Sequence, residues 1–198
     1  MIILGNNRFG VSIAKQLVQN IQGIISLDGE IPLFITEQGI APYVFSDTHR
    51  FILGELSHSK RSDSIEFISN YTEITLDTFP NIIAKDVNLA AINAIGYGNI
   101  IHSRVDLGSD CDIGNFNYIG IASTINSNSV LGSYNIIREH VAIGYDCSIK
   151  DYNILETKAV ITDNTSIGNY NIVSHAECVF DNMLNQELFQ SGIAQKIR

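Results

Sequence analysis

Ile113-Gly114-Asn115-Phe116-Asn117-Tyr118, Leu131-Gly132-Ser133-Tyr134-Asn135-Ile136, Ile149-Lys150-Asp151-Tyr152-Asn153-Ile154 and Ile167-Gly168-Asn169-Tyr170-Asn171-Ile172 are one phrase, repeated every eighteen residues. Within that spacing an aliphatic residue returns every six positions, from Ile83, Leu89, Ile95 and Ile101 through to Ile167, Val173 and Val179. Four positions after it comes a small or compact residue, as at Val105, Cys111, Asn117, Ser123 and Ser129. A period of six fits neither the 3.6-residue repeat of an amphipathic helix nor the alternation of a single strand. It is the period of a parallel β-helix, in which each hexad supplies one short side of a coil. Three hexads then make one turn of a triangular prism. The aliphatic residue points inward and the compact one fits the corner. Glycine often follows the aliphatic residue, at Gly96, Gly108, Gly114, Gly120, Gly132, Gly144 and Gly168. A turn requiring positive φ selects glycine in this way.

The eighteen-residue phrase predicts two columns along the prism. Asn99, Asn117, Asn135, Asn153 and Asn171 stack one per coil, and Phe116, Tyr134, Tyr152 and Tyr170 stack beside them. Asparagine ladders satisfy their amides along stacked parallel strands, so both columns are assigned to structure and not to catalysis.

The remaining composition excludes several classes. A formal net charge of −9 over 198 residues argues against nonspecific nucleic-acid binding, which needs a basic surface. No apolar run approaches the length of a membrane span, so membrane insertion is not expected and a cytoplasmic location is. Cys111 and Cys147 fill the same corner two coils apart, about 10 Å, too far for a disulfide. Cys178 occupies a different position of its hexad, and all three thiols are expected to be reduced.

Residues 1–80 read differently. Met1 to Leu4 is an apolar strand, followed by the turn Gly5-Asn6-Asn7-Arg8-Phe9-Gly10 and an amphipathic segment from Val11 to Gln22. Strands are predicted over 24–27, ending at Asp28, and over 31–35. Loop is predicted over 38–48, where Pro42 disfavours a helix. A further short apolar run covers 51–56, a helix 57–70 and a strand 72–76. This is an α/β domain with a short parallel sheet and a Rossmann-like βαβ opening. A glycine turn at a helix N-terminus can hold phosphate through its N–H groups. The spacing is G-x4-G, so such a turn serves equally as a tight connection. Residues 81–198 hold the prism and a C-terminal cap, with a short helix or cap over 181–189 and a polar tail over 191–198.

One edge of the prism gathers chemistry. The corners after Ile101, Ile137, Leu155 and Val173 carry His102 and Arg104, then Arg138-Glu139-His140, then Glu156 and Lys158, then Ser174-His175. A solvated corner is the plain explanation for any one of these. The triplet at 138–140 is more pointed, because a carboxylate beside a histidine can orient it and raise its basicity. His102 and His175 each stand about 10 Å from His140 along the axis, which disfavours a metal site within one subunit.

A small βαβ domain followed by an uninterrupted hexapeptide prism resembles the bacterial sugar O-/N-acyltransferases of the NeuD/PglD type, over nearly the whole chain. The resemblance implies a left-handed β-helix, a sense that runs against the usual right-handed crossover. It implies a homotrimer, with acetyl-CoA as co-substrate along the prism at a subunit interface. It implies that the first domain binds a nucleotide-linked sugar. Gly5, Asn6, Asn7, Arg8 and Gly10 match the phosphate turn, and Asp28 the acidic end of the second strand. The ending Gly192-Ile193-Ala194-Gln195-Lys196 resembles the family's G-x-P-A-K. The family places its catalytic histidine third in a hexad, followed by an acid, whereas here Glu139 is third and His140 fourth.

The expected reaction is acetyl transfer from acetyl-CoA to an amino or hydroxyl group of a sugar, nucleotide-linked or free. His140 takes the proton, Glu139 orients it, and no metal is involved. The alternatives are a non-catalytic trimeric scaffold or sugar-binding protein, and a metal-dependent hexapeptide enzyme. The last is disfavoured because no H-x4-H pair occurs.

Overall fold

The computed structural model describes residues 1–4, 21–26, 33–36, 39–42, 50–54 and 75–197. The chain divides into two compact units, Met1–Ile82 and Ile83–Arg198.

In the first unit, β1 (Ile2–Leu4), β2 (Gly23–Ser26), β3 (Leu33–Thr36), β4 (Gly39–Pro42) and β5 (Phe51–Leu53) form one sheet, in the order β4-β3-β2-β1-β5. β1 runs parallel to β2 and β5. Its three residues are wholly buried, as a continuous apolar run in a parallel pairing should be. β3 is antiparallel to β2 and to β4. The sheet is therefore mixed, not the parallel sheet expected from sequence. Connection length is the cause. Two residues separate β3 from β4, and a parallel crossover needs about a dozen. β4 also takes Gly39–Pro42 out of the loop expected over 38–48, the rest of which lies outside the described residues. Pro42 ends β4, the outer strand of this sheet among the described residues, a position where proline is tolerated. Leu76–Thr78 is a single 3-10 turn rather than the end of a strand. The helices expected over 11–22 and 57–70 lie outside the described residues, Ile21 and Gln22 excepted.

The second unit is a three-sided prism of two-residue strands. Asp112–Ile113 pairs in parallel with Ala94–Ile95 and with Val130–Leu131. Tyr118–Ile119 pairs with Ile100–Ile101 and Ile136–Ile137, and Thr124–Ile125 with Asp106–Leu107 and Ala142–Ile143. Every partner is the same hexad position one coil away, so the register is the eighteen-residue phrase itself. Ile101, Ile119, Ile137, Leu155 and Val173 are each 0% exposed, which puts the six-residue series inside the prism.

Both predicted columns form. Asn99 Oδ1 accepts the Asn117 backbone N–H at 2.9 Å and its amide at 3.0 Å. The same pair of bonds links Asn117 to Asn135 and Asn135 to Asn153. The rings of Phe116, Tyr134, Tyr152 and Tyr170 stack with centroids 5.1, 4.8 and 4.8 Å apart.

The glycines serve a different purpose from the one expected. Positive φ falls on the third residue after the aliphatic one, as at Phe116 (55°), Tyr134 (61°) and His140 (59°), and on none of the seven glycines named above. Those glycines provide room for the next coil. A Cβ on Gly120 would lie 2.7 Å from the Arg138 carbonyl carbon and 2.8 Å from the Glu139 nitrogen. On Gly144 it would lie 2.6 Å from the Asp163 nitrogen.

The end of the prism is closed by strand and not by a helix. Glu187–Gln190 adds in parallel to Ile172–Val173, then turns at Ser191 and Gly192 and returns as Ile193–Lys196. Both turn residues have positive φ (54° and 74°), which suits a tight hairpin. The expected polar tail is thus the outer strand of this hairpin. Met183 and Phe189 complete the core beneath it, covering strand edges that would otherwise stand open.

Candidate active site

The sheet containing Ile136–Ile137 delivers the polar residues to one corner. Because equivalent strands pair one coil apart, Arg138-Glu139-His140 lies between the turn of Gly120 and that of Glu156. Ser174-His175 follows one coil further, after Ile172–Val173. The column read from sequence is therefore a column in space.

Its members differ in what they face. His140 occupies the left-handed position, and its backbone N–H donates to Ile121 O of the preceding coil at 3.0 Å. Its side chain is exposed and bonded to no described residue. Glu139 is half-buried, and its two carboxylate oxygens each accept a hydroxyl. Tyr118 donates to Oε1 at 3.3 Å and Thr157 to Oε2 at 3.1 Å. Glu139 is thus turned to the hydroxyls and not to the His140 imidazole. The left-handed turn at 140 makes neighbouring side chains diverge, which the order of letters alone does not reveal.

Tyr118 is 2% exposed. Burial first, and then the charge of Glu139, push its hydroxyl well above the ordinary phenol range, so it remains a donor. Arg138 Nε and His175 Nε2 both approach Glu156 Oε2, at 3.7 and 3.4 Å. Surface pairs of this kind contribute about 0–1 kcal/mol. His102 is tied to its own turn, its Nδ1 accepting the Ser103 N–H at 2.8 Å. Among the described residues no three His, Cys, Asp or Glu side chains gather into a metal-binding group. Cys111 and Cys147 are buried corner residues whose thiols burial pushes up, which leaves them poor nucleophiles.

A shallow groove opens on the face that His140 leads into. Asn126, Ala142, Gly144, Val160, Thr162 and Asp163 line it. Tyr145, 50% exposed, adjoins Gly144 and donates its N–H to Asp163 Oδ1 at 2.9 Å. It stands third in its hexad with Asp146 after it. Sequence reading missed this groove, Tyr118 and Thr157. Thr157 was within reach, since it follows Glu139 by one eighteen-residue phrase. Gly5, Asn6, Asn7, Arg8, Gly10 and Asp28 lie outside the described residues.

No protein-family model matches this chain, and no curated protein matches it by sequence. Solved structures do match its fold. PerB from Caulobacter crescentus, solved in complex with CoA and GDP-perosamine, is 14% identical over 98% of this chain and 95% of its own, with a TM-score of 0.65. WeeI from Acinetobacter baumannii is 15% identical over 99% and 98%, with a TM-score of 0.56. The acetyltransferase domain of PglB from Neisseria gonorrhoeae is 13% identical over 99% and 98%, with a TM-score of 0.55. At these identities the likeness is one of fold. Among the described residues no helix is long and apolar enough to cross a membrane.

Proposed function

We propose that this chain transfers an acetyl group from acetyl-CoA to a nucleotide-linked sugar, as a homotrimer in the cytoplasm. The whole-chain likeness carries this reading: PerB is matched end to end and was solved with both CoA and a nucleotide sugar. A second structure of the same kind is described as a GDP-perosamine N-acetyl transferase. The PglB domain was also solved with acetyl coenzyme A. The left-handed sense of the coil and the Rossmann-like character of residues 1–80 belong to the same reading.

The roles divide by residue. Gly5, Asn6, Asn7, Arg8 and Gly10 hold the sugar's diphosphate, with Asp28 beside the nucleoside. His140 accepts the proton of the attacking group. Backbone N–H groups of the adjoining coil steady the oxyanion. Glu139 lies beside His140 in the chain and completes the polar corner.

Release of the CoA thiol tests the whole. The native chain is expected to release it only when a nucleotide-linked sugar is present. Arg8→Ala is expected to raise KM for that sugar by about tenfold, the loss of one charge-assisted phosphate contact, and to leave KM for acetyl-CoA unchanged. An Arg8→Ala enzyme with native kinetics assigns the turn to structure alone. The assembly is read separately by light scattering. A trimer of the 21.8 kDa chain is expected at micromolar concentration, and a monomer overturns a CoA site built between subunits.

A further inference from the structure

The hairpin that closes the prism leaves one edge open. Ile193–Lys196 is the outer strand of its sheet among the described residues, and all four of its residues are exposed. Its register with Glu187–Gln190 fixes which way each backbone group points. Ile197 donates its N–H to Gln186 O at 2.8 Å, so positions 193, 195 and 197 bond inward. Antiparallel ladders alternate, and the N–H and C=O groups of Ala194 and Lys196 therefore point out of the sheet. Among the described residues no strand pairs with them. Such groups are a template for a further strand. Ala194 stands where the G-x-P-A-K ending has proline, so its outward N–H belongs to this chain and not to that pattern. A lysine on an edge ordinarily blocks pairing. Lys196 is turned back instead, its Nζ 2.7 Å from Asn185 O and 3.3 Å from Glu187 Oε1.

We propose that this edge pairs with the same edge of a second copy of the chain, antiparallel and centred on Gln195. The segment is its own complement in that register. Ala194 exchanges both backbone bonds with Lys196 of the second copy, and Lys196 does so with its Ala194. Between them Gln195 faces Gln195, and each amide both donates and accepts. On the same side of the strand Ile193 faces Ile197 at both ends of the contact. These isoleucines are 59% and 42% exposed in the single chain, an apolar surface with nothing described to cover it. Opposed apolar pairs are what stabilise such a ladder. The neighbouring registers fit less well. Centring on Lys196 sets two ammonium groups opposite each other, which is destabilising. Centring on Ala194 sets Ile193 against Gln195. The contact is small beside the roughly 1,200 Å² of a stable interface, so copies join reversibly and only above the micromolar range. The pairing is independent of the acyl-transfer reading, and it joins whatever unit carries the hairpin, one chain or three.

Sedimentation velocity on the full chain, from micromolar to millimolar concentration, tests it. The native mass is expected to rise at least twofold across that range. Ala194→Pro removes an outward N–H and none of the bonds to Glu187–Gln190, and is expected to hold the low-concentration mass throughout. Gln195→Glu changes an exposed side chain and sets two carboxylates opposite each other, and is expected to do the same. Gln195→Lys is expected to behave likewise, and an equimolar mixture of the two Gln195 variants to recover the rise. A native mass that stays constant overturns the pairing. So does a rise that either Ala194→Pro or Gln195→Glu retains, and so does a mixture that fails to recover it.

Discussion

His140→Ala is expected to fold, assemble and bind acetyl-CoA as the native chain does, and to lose acetyl transfer by about 10²–10⁴-fold. That is the usual contribution of a positioned general base. The imidazole is the suitable acceptor at this corner because it is exposed and bonded to no described residue. Substitution should not disturb the fold, since the backbone N–H to Ile121 O does not involve the side chain. Single-turnover rates on one acceptor for His140→Ala, Glu139→Gln and Tyr145→Phe decide the assignment. Glu139→Gln is expected to cost less than His140→Ala, and a larger loss for Glu139→Gln makes Glu139 the base. A larger kcat loss for Tyr145→Phe moves the chemistry to the groove at Gly144. An undiminished kcat for His140→Ala removes the protein base from the mechanism.

Asn135→Ala is expected to destabilise the prism by about 3–5 kcal/mol, the largest single-site effect on stability named for this chain. Asn135 is 0% exposed. Its Oδ1 accepts both the backbone N–H and the amide of Asn153, at 2.8 and 3.1 Å. Its own amide donates to Asn117 at 3.2 Å. Alanine leaves the two Asn153 donors without that acceptor, in a place water does not reach, while Asn117 Oδ1 keeps the backbone N–H of residue 135 at 2.9 Å; each buried unsatisfied group costs about 1–3 kcal/mol. Because a solenoid is held by nearest-neighbour contacts, the defect sits between two coils and weakens both. Urea unfolding of the native and substituted chains measures it. A loss under about 1 kcal/mol would show that the ladder is ornamental to the strand pairing that surrounds it.

The prism could be read from the chain because its contacts are periodic. When every strand pairs with its own equivalent eighteen residues away, a pattern along the sequence is also a pattern in space. Each coil must place Ile, Asn and aromatic residues where the last one did. The polar corner followed from the same rule, and Thr157 beside Glu139 could have been found by it. Residues 1–80 have no such repeat. There the mixed sheet depended on the short connection between β3 and β4, and the apolar runs themselves carry no direction. The direction of individual side chains was decided only in three dimensions. The seven glycines were selected by the approach of the next coil and not by φ. Tyr118 meets Glu139 across twenty-one residues, a spacing that is no multiple of the repeat. Glu139 turns from His140 because the corner reverses the backbone at 140, where φ is 59°. Period and composition dictate which residues share an edge. Torsion at the corner, and the hydroxyls within its reach, dictate what each of them faces.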